Sequence, residues 1–134
     1  MKKVVLVDGN NLLFRSYYAT AYSGNLMKNS KGFPTNGLFG FVNMMNKIIH
    51  EENPNYILVA FDIGKTFRHE KYDDYKGGRD ETPNDLKIQF PVAKEILKAM
   101  GICYLEVQGY EADDIIGTYA RLIDNANDYE GVIV

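Results

Sequence analysis

The sequence predicts an α/β fold with a mainly parallel central β-sheet. Two observations predict it: four short apolar runs are spaced along the chain, and the segments between them carry apolar residues at helical spacing. Near-continuous apolar runs are typical of strands covered on both faces, as in parallel sheets. Their alternation with helices gives the order β-α-β-α-β-α-β.

The four predicted strands are rich in β-branched and other apolar residues. They are Lys3–Asp8, Tyr56–Asp62, Ile102–Val107 and Gly131–Val134. The last run ends without a polar residue, and natural domains rarely stop inside a strand. We therefore expect a sheet that is truncated after its fourth strand.

Three segments between the strands have helical periodicity. Apolar residues recur at three- and four-residue spacing over 38–49, 86–100 and 112–123. Pro91 cannot donate a hydrogen bond to the preceding turn, so the second helix should kink or divide there. Gly101 suits the end of that helix.

Composition excludes several classes of protein. A chain of 134 residues fits one domain. Its net charge of -3 excludes a strongly basic protein that coats nucleic acid. The single cysteine, Cys103, excludes a disulfide framework and a cysteine-based zinc site, and its apolar strand predicts a core position. No apolar run approaches the roughly 20 residues of a membrane helix, and no secretory leader is recognisable. A soluble, cytoplasmic protein without membrane partners is expected.

Acidic residues follow the predicted strands. Asp8 and Asp62 each close a strand, and Glu111, Asp113 and Asp114 open the last helix just after the third strand. Ligands of parallel α/β sheets bind outside the carboxyl ends of the strands, so all five acids belong to one edge. Glu111 and Asp114 are three residues apart and share a helix face, whereas Asp113 points partly aside.

Five acids at one edge would repel one another unless a cation offset their charge. Mg²⁺ and Mn²⁺ prefer oxygen ligands, so these acids predict a site for one of them. Taken alone, each acid is more simply a turn residue or a partner of the helix dipole; the shared edge favours the metal site. Two oxygen-bound metals about 4 Å apart are typical of phosphodiester hydrolysis.

Three further features suit a phosphate polymer as substrate. Phe14 could stack on a base and Arg15 could bind phosphate, although Phe14 fits a core position equally well. Thr35 precedes a helix and could help to seat a phosphate, although an ordinary N-cap explains it more simply. The polar stretch 63–81 is long for a connection; from Lys65 to Arg79 it holds five basic and three acidic residues, a local charge of +2, with interleaved tyrosines.

Taken together, these motifs resemble the bacterial 5′→3′ exonuclease family, which includes the N-terminal nuclease domain of DNA polymerase I and stand-alone relatives and is related to flap endonucleases. The resemblance runs the length of the chain. The most specific motifs are Val7-Asp8-Gly9-Asn10 with Phe14-Arg15, Phe61-Asp62, Phe67-Arg68-His69 through Tyr75-Lys76-Gly77-Gly78-Arg79, and Gly109-Tyr110-Glu111-Ala112-Asp113-Asp114.

The resemblance implies a PIN-like three-layer sandwich, with residues 1–134 as the N-terminal part of the nuclease domain. The 63–81 segment corresponds to the start of a helical arch through which a free 5′ strand passes. Cofactors would be Mg²⁺ or Mn²⁺ in a two-metal site of the complete domain, and the substrate would be DNA with a free 5′ end or 5′ flap, in replication and repair. The acids that match the family's metal site are Asp8, Asp62, Glu111, Asp113 and Asp114.

The resemblance also implies nucleic-acid contacts. Phe14 matches the aromatic residue that packs on the base beside the scissile phosphate, and Thr35 stays the weaker candidate from the residues alone. Lys76 and Arg79 would be catalytic, Lys76 by stabilising transition-state charge. The cations that match backbone contacts are Arg15, Arg68, Lys76 and Arg79.

One departure affects the expected activity. In this family, further acids and a helix-hairpin-helix element follow the fourth strand, beyond the last of these 134 residues. We therefore expect little nuclease activity from these 134 residues alone. Whether a polymerase domain follows stays open. Two alternative functions stay open as well. One is a PIN-type ribonuclease, although that class of protein gives no reason to expect the basic segment within 63–81. The other is a non-catalytic module that binds DNA structures.

Overall fold

Nine helices and strands make up the part of the chain that the structure describes, a computed structural model covering residues 1–21, 27–63 and 82–134. The predicted alternation of strands and helices is confirmed. In chain order the elements are β1 (Lys2–Asp8), α1 (Gly9–Ala21), α2 (Asn36–Glu52), β2 (Tyr56–Phe61), α3 (Asn84–Lys87), α4 (Gln89–Ala99), β3 (Cys103–Glu106), α5 (Ala112–Asp124) and β4 (Tyr129–Ile133).

The four strands form one parallel sheet in the order β3-β2-β1-β4. In this register Asp8 lies opposite Ala60, and Phe61 lies opposite Glu106. The carboxyl ends of β1, β2 and β3 therefore meet at one edge of the sheet. The direction of strand order changes at β1, which is the place where parallel α/β sheets bind ligands.

The sheet unit consists of the described residues within 1–10, 54–81 and 102–134. The residues from Val5 to Val7 of β1 and from Val59 to Phe61 of β2 are fully buried, as their apolar runs predicted. The apolar face of α5 packs on these strands, which explains its three- and four-residue spacing. The cluster consists of Leu6, Ala60, Ala112, Ile115, Ile116 and Ile123.

The helical unit consists of the described residues within 11–53 and 82–101. A buried polar pair lies inside it: the Nε2 atom of Gln89 donates to Oδ1 of Asn36 at 3.2 Å and to the carbonyl oxygen of Asp85 at 2.9 Å. Its Oε1 atom accepts a hydrogen bond from the N–H of Leu38 at 3.0 Å. Gln89 therefore satisfies a main-chain donor in the first turn of α2, which the helix itself leaves without a partner.

Proline and glycine divide and end the helical stretch as predicted. The helical stretch divides at Ile88, so that Pro91 lies in the first turn of α4, where proline needs no intrahelical acceptor. Gly101 has a φ of 75°, in the left-handed region that ends helices. No helix in the described ranges is long and apolar enough to cross a membrane.

The predicted core position of Cys103 is wrong, because this residue is exposed. It is the first residue of β3, and β3 is an edge strand of the sheet, so the apolar run around it is covered less completely than β1 and β2. The predicted arch, 63–81, lies outside the described residues except for Ile63.

Candidate functional site

Two of the predicted metal-binding acids lie at the carboxyl edge of the central strand pair. Asp8 is the last residue of β1, and Asp62 follows the end of β2. Because Asp8 is in register with Ala60, Asp62 lies two residues beyond the last residue pair of β1 and β2. Both are half-buried. The parallel register thus places these two carboxylates on the same edge, as the sequence predicted.

Asp62 is fixed by two hydrogen bonds, one to its main chain and one to its side chain. Its N–H donates to Oδ1 of Asn10 at 2.8 Å. Its own Oδ1 atom accepts from the N–H of Ala112 at 2.6 Å. Ala112 is the first residue of α5, so this bond ties the acid after β2 to the beginning of the helix that carries the other acids. A carboxylate has two oxygens, and the bond commits only one of them.

The acids that open α5 form a capping box. Glu111 is the N-cap in an extended conformation, and its N–H donates to Oδ2 of Asp114 at 2.9 Å. Glu111 is buried, with 4% of its surface exposed. The positive end of the helix dipole favours carboxylates at this place. Asp113, in contrast, is exposed, in agreement with the prediction that it points aside.

The donor set suits a hard divalent cation. All of its atoms are carboxylate oxygens, and the buried Oε1 atom of Glu111 has no hydrogen-bond partner within 1–21, 27–63 and 82–134. Burying carboxylate charge is costly, and a cation would offset that cost. The side chains share an edge but do not enclose an ion: no group of three or more Asp, Glu, His or Cys side chains in the described ranges has metal-binding geometry.

Close packing against β2 requires glycine at position 9, the first residue of α1. A Cβ atom at this position would lie 2.6 Å from Cε1 of Phe61 and 2.8 Å from Cγ1 of Val59, closer than real Cβ contacts. Only glycine therefore allows α1 to begin directly after Asp8 while β2 packs alongside. Sequence reasoning gave no role to Asn10, although it stands in the quoted Val7-Asp8-Gly9-Asn10 motif.

The aromatic and basic candidates of α1 differ in exposure. Phe14 is half-buried, with its ring centroid 5.9 Å from that of Phe90 and 6.3 Å from that of Tyr18. Part of its surface therefore serves packing within the helical unit, as the core alternative requires. Arg15 is exposed. Roles for both in nucleic-acid binding stay predictions.

Thr35 is the N-cap of α2, but its side chain makes no capping hydrogen bond to this helix. Its N–H donates to the carbonyl oxygen of Met27 at 2.9 Å, and its carbonyl oxygen accepts from the N–H of Phe39 at 2.8 Å. In the same turn, the Oε1 atom of Gln89 accepts the hydrogen bond of the Leu38 N–H, so fewer main-chain donors remain for an anion. Phosphate binding by Thr35 stays a prediction.

The remaining predicted cations lie outside the residues that the structure describes. They are Arg68, Lys76 and Arg79, within 64–81. Their predicted contacts with the phosphate backbone, and the predicted catalytic roles of Lys76 and Arg79, therefore stay predictions.

Comparison with protein families shows which family the chain belongs to. Residues 3–134 match the model of the family described as 5′-3′ exonuclease, N-terminal resolvase-like domain. The chain belongs to this family. DNA polymerase I of Geobacillus stearothermophilus is 54% identical over 119 residues, which is 88% of this chain and 13% of the relative. The 5′-3′ exonuclease of Aquifex aeolicus (strain VF5) is 46% identical over 122 residues, 90% of this chain and 41% of the relative. The chain thus spans less than half of either relative.

Solved structures confirm the α/β fold. The flap endonuclease of bacteriophage T5, in a pseudo-enzyme–product complex with DNA and metal ions, matches with a TM-score of 0.67 and 24% identity, over 98% of this chain and 48% of that chain. A T5 protein co-crystallised with metal ions matches with a TM-score of 0.60 and 24% identity, over 98% of this chain and 47% of that chain. These matches support the fold alone.

Proposed function

We propose that this chain carries metal-binding residues of a divalent-metal-dependent 5′→3′ exonuclease and flap endonuclease that hydrolyses DNA in replication and repair, in the cytoplasm. The observation that carries the proposal is the 2.6 Å bond from Ala112 to Asp62, which ties the acid after β2 to the acidic beginning of α5. Family membership supports the reaction class. The relatives named DNA polymerase I support a polymerase domain in the parent protein.

Each group of residues has a proposed task. Asp8, Asp62, Glu111 and Asp114 would hold the metal through carboxylate oxygens, with Asp113 as a more exposed member of the set. Mg²⁺ or Mn²⁺ suits such ligands, and when bound it would activate water and stabilise charge on the leaving oxygen. The protein's own contribution is to fix these carboxylates at one edge of the sheet before DNA arrives.

DNA binding would be shared between stacking and phosphate contacts. The exposed part of Phe14 would stack on a base, and Arg15 would bind the phosphate backbone together with Arg68, Lys76 and Arg79. Because such contacts release counterions, binding should weaken steeply with salt and follow strand structure rather than base sequence. The family's description as a 5′-3′ exonuclease and the relatives named DNA polymerase I support DNA with a free 5′ end or 5′ flap as substrate.

Metal binding is the first test, because the chain spans 41% or less of these curated relatives. Calorimetric titration with Mn²⁺ should show saturable binding by the wild type and a loss of about tenfold or more in Asp8→Ala and Asp114→Ala. Asp128→Ala is the matched control, since Asp128 is exposed and precedes β4 at the opposite end of the sheet. Equal binding by all four proteins would contradict the proposal.

The substrate class is tested separately. A labelled 5′-flap DNA and an RNA of the same sequence and structure should compete unequally, with tighter binding of the DNA in the presence of Mn²⁺. Preference for the RNA would favour a ribonuclease instead. Binding of the DNA that is unchanged by Mn²⁺ and by Asp8→Ala would favour a non-catalytic binding module.

A further inference from the structure

We propose that Asn10 is a positioning residue for the metal-binding carboxylates, and that it acts by holding the main chain at Asp62. This inference rests on the proposed function. It concerns a side chain that would not touch the metal and whose role is to set the place of one that would.

The need for Asn10 follows from the end of β1. The strand stops at Asp8 because α1 begins at Gly9, so β1 offers no further carbonyl oxygen to the chain that continues past β2. The N–H of Asp62 would lose its ladder partner at this point, and a buried main-chain donor requires one. The Oδ1 atom of Asn10 accepts that hydrogen bond at 2.8 Å, in a partly buried position.

A second hydrogen bond joins Asp62 to the acidic N-terminus of α5. With its main chain held by Asn10, Asp62 presents Oδ1 to the N–H of Ala112 at 2.6 Å. Ala112 directly follows Glu111, which is joined to Asp114 in the capping box. Two consecutive hydrogen bonds thus connect the first turn of α1, the residue after β2 and the N-terminus of α5. Asp8 directly precedes α1, and the other proposed ligands lie in or next to the other two segments.

Groups that orient metal ligands without touching the metal typically change metal affinity 10- to 100-fold when they are removed. Asn10→Ala removes the acceptor and frees the main chain at Asp62, so the carboxylate would have to be ordered when the metal binds. Asn10→Asp keeps an oxygen acceptor in the same place. It should therefore retain the position of Asp62.

The chain contains a matched control at the other end of the same strand pair. Asn55 accepts a hydrogen bond at its Oδ1 atom from the N–H of Lys3 at 2.8 Å, and its own N–H donates to the carbonyl oxygen of Lys3 at 2.9 Å. This side-chain bond has the same length and chemistry as the one from Asp62 to Asn10 and is more exposed. Asn55→Ala should leave the proposed metal site unchanged.

The experiment compares Mn²⁺ affinity by calorimetry for the wild type, Asn10→Ala, Asn10→Asp and Asn55→Ala, with amide hydrogen exchange of metal-free protein measured by NMR. We expect Asn10→Ala to weaken Mn²⁺ binding about tenfold or more and to speed exchange at the Asp62 amide. Asn10→Asp should bind Mn²⁺ at least as tightly as the wild type, and Asn55→Ala should bind it equally.

Two outcomes separate the failure of this inference from the failure of the proposed function. If the wild type shows no saturable Mn²⁺ binding, the proposed function is wrong and the inference falls with it. If the wild type binds Mn²⁺ and Asn10→Ala binds it equally, only the inference is overturned. Should Asn10→Ala fail to fold, Asn10→Gln, which moves the oxygen by one methylene, must show the same loss of affinity, and wild-type affinity in that variant would overturn the inference.

Discussion

Asp62 and Ala112 are fifty residues apart in sequence and are joined by a 2.6 Å hydrogen bond from the N–H of Ala112 to Oδ1 of Asp62. The donor is in the first turn of α5, where main-chain N–H groups have no partner within the helix. The carboxylate therefore caps a helix end from outside that helix. Asp62 therefore has a structural task in addition to its proposed task as a ligand.

Two substitutions separate these tasks. Asp62→Asn keeps an oxygen that can accept from Ala112 but removes the charge, so it should lose Mn²⁺ binding about tenfold or more while the free energy of unfolding falls by less than about 1 kcal/mol. Asp62→Ala removes the bond as well and should cost about 1.5–3 kcal/mol. Urea unfolding in EDTA and calorimetry with Mn²⁺ measure the two effects. Wild-type Mn²⁺ affinity in Asp62→Asn would remove Asp62 from the ligand set.

Gly9 should tolerate no side chain. Gly9→Ala brings a Cβ atom to 2.6 Å from the ring of Phe61 and should lower the free energy of unfolding by about 1–3 kcal/mol, because Phe61 is fully buried and has little room to move. Gly117→Ala is the matched control: at this exposed residue of α5 an added Cβ atom would have nothing within 4 Å, and alanine should stabilise the helix by about 0.5–1 kcal/mol. Urea unfolding of both variants measures the difference. Equal stability of Gly9→Ala and wild type would contradict the close packing at this turn.

The sequence predicted those parts of the fold that depend on local pattern. Strand runs, the division of the helix before Pro91 and the left-handed end at Gly101 follow from periodicity and from proline and glycine chemistry, which act within a few residues. The placement of Asp8 and Asp62 on one edge followed from the general rule for parallel sheets. These features needed no knowledge of which distant residues meet.

The bonds that fix the site could not be predicted in this way. Asn10 reaches Asp62 and Gln89 reaches Leu38, in each case across about fifty residues, and periodicity carries no information about such pairs. Gln89 looks like an ordinary polar helix residue in the sequence, but it is fully buried. The core position predicted for Cys103 is wrong because an apolar run does not reveal that its strand lies at the edge of the sheet.

Gln89 should be among the residues on which the stability of the helical unit depends. Gln89→Leu has a similar volume but leaves the N–H of Leu38 and the side chain of Asn36 without these buried partners. Because an unsatisfied buried group costs about 1–3 kcal/mol, we expect a total loss of about 2–4 kcal/mol. Lys98→Leu, at an exposed position of the same helix, should change stability by less than about 0.5 kcal/mol. Thermal and urea unfolding compare the pair, and a loss below about 1 kcal/mol in Gln89→Leu would contradict the predicted cost.

Phe14 offers a test between packing and base stacking. Its ring contacts Phe90 at a centroid distance of 5.9 Å but is only partly buried, so both interpretations fit the structure. Phe14→Leu retains most of the apolar volume and should cost about 1.5 kcal/mol or less in stability, but it removes the aromatic face. If that face stacks on a base, the affinity for single-stranded DNA should fall by about 1–3 kcal/mol, as measured by fluorescence anisotropy at fixed salt. Phe90→Leu is the control, since Phe90 shares the ring contact and has no proposed role in binding. Equal DNA affinity in both variants and the wild type would assign Phe14 to packing alone.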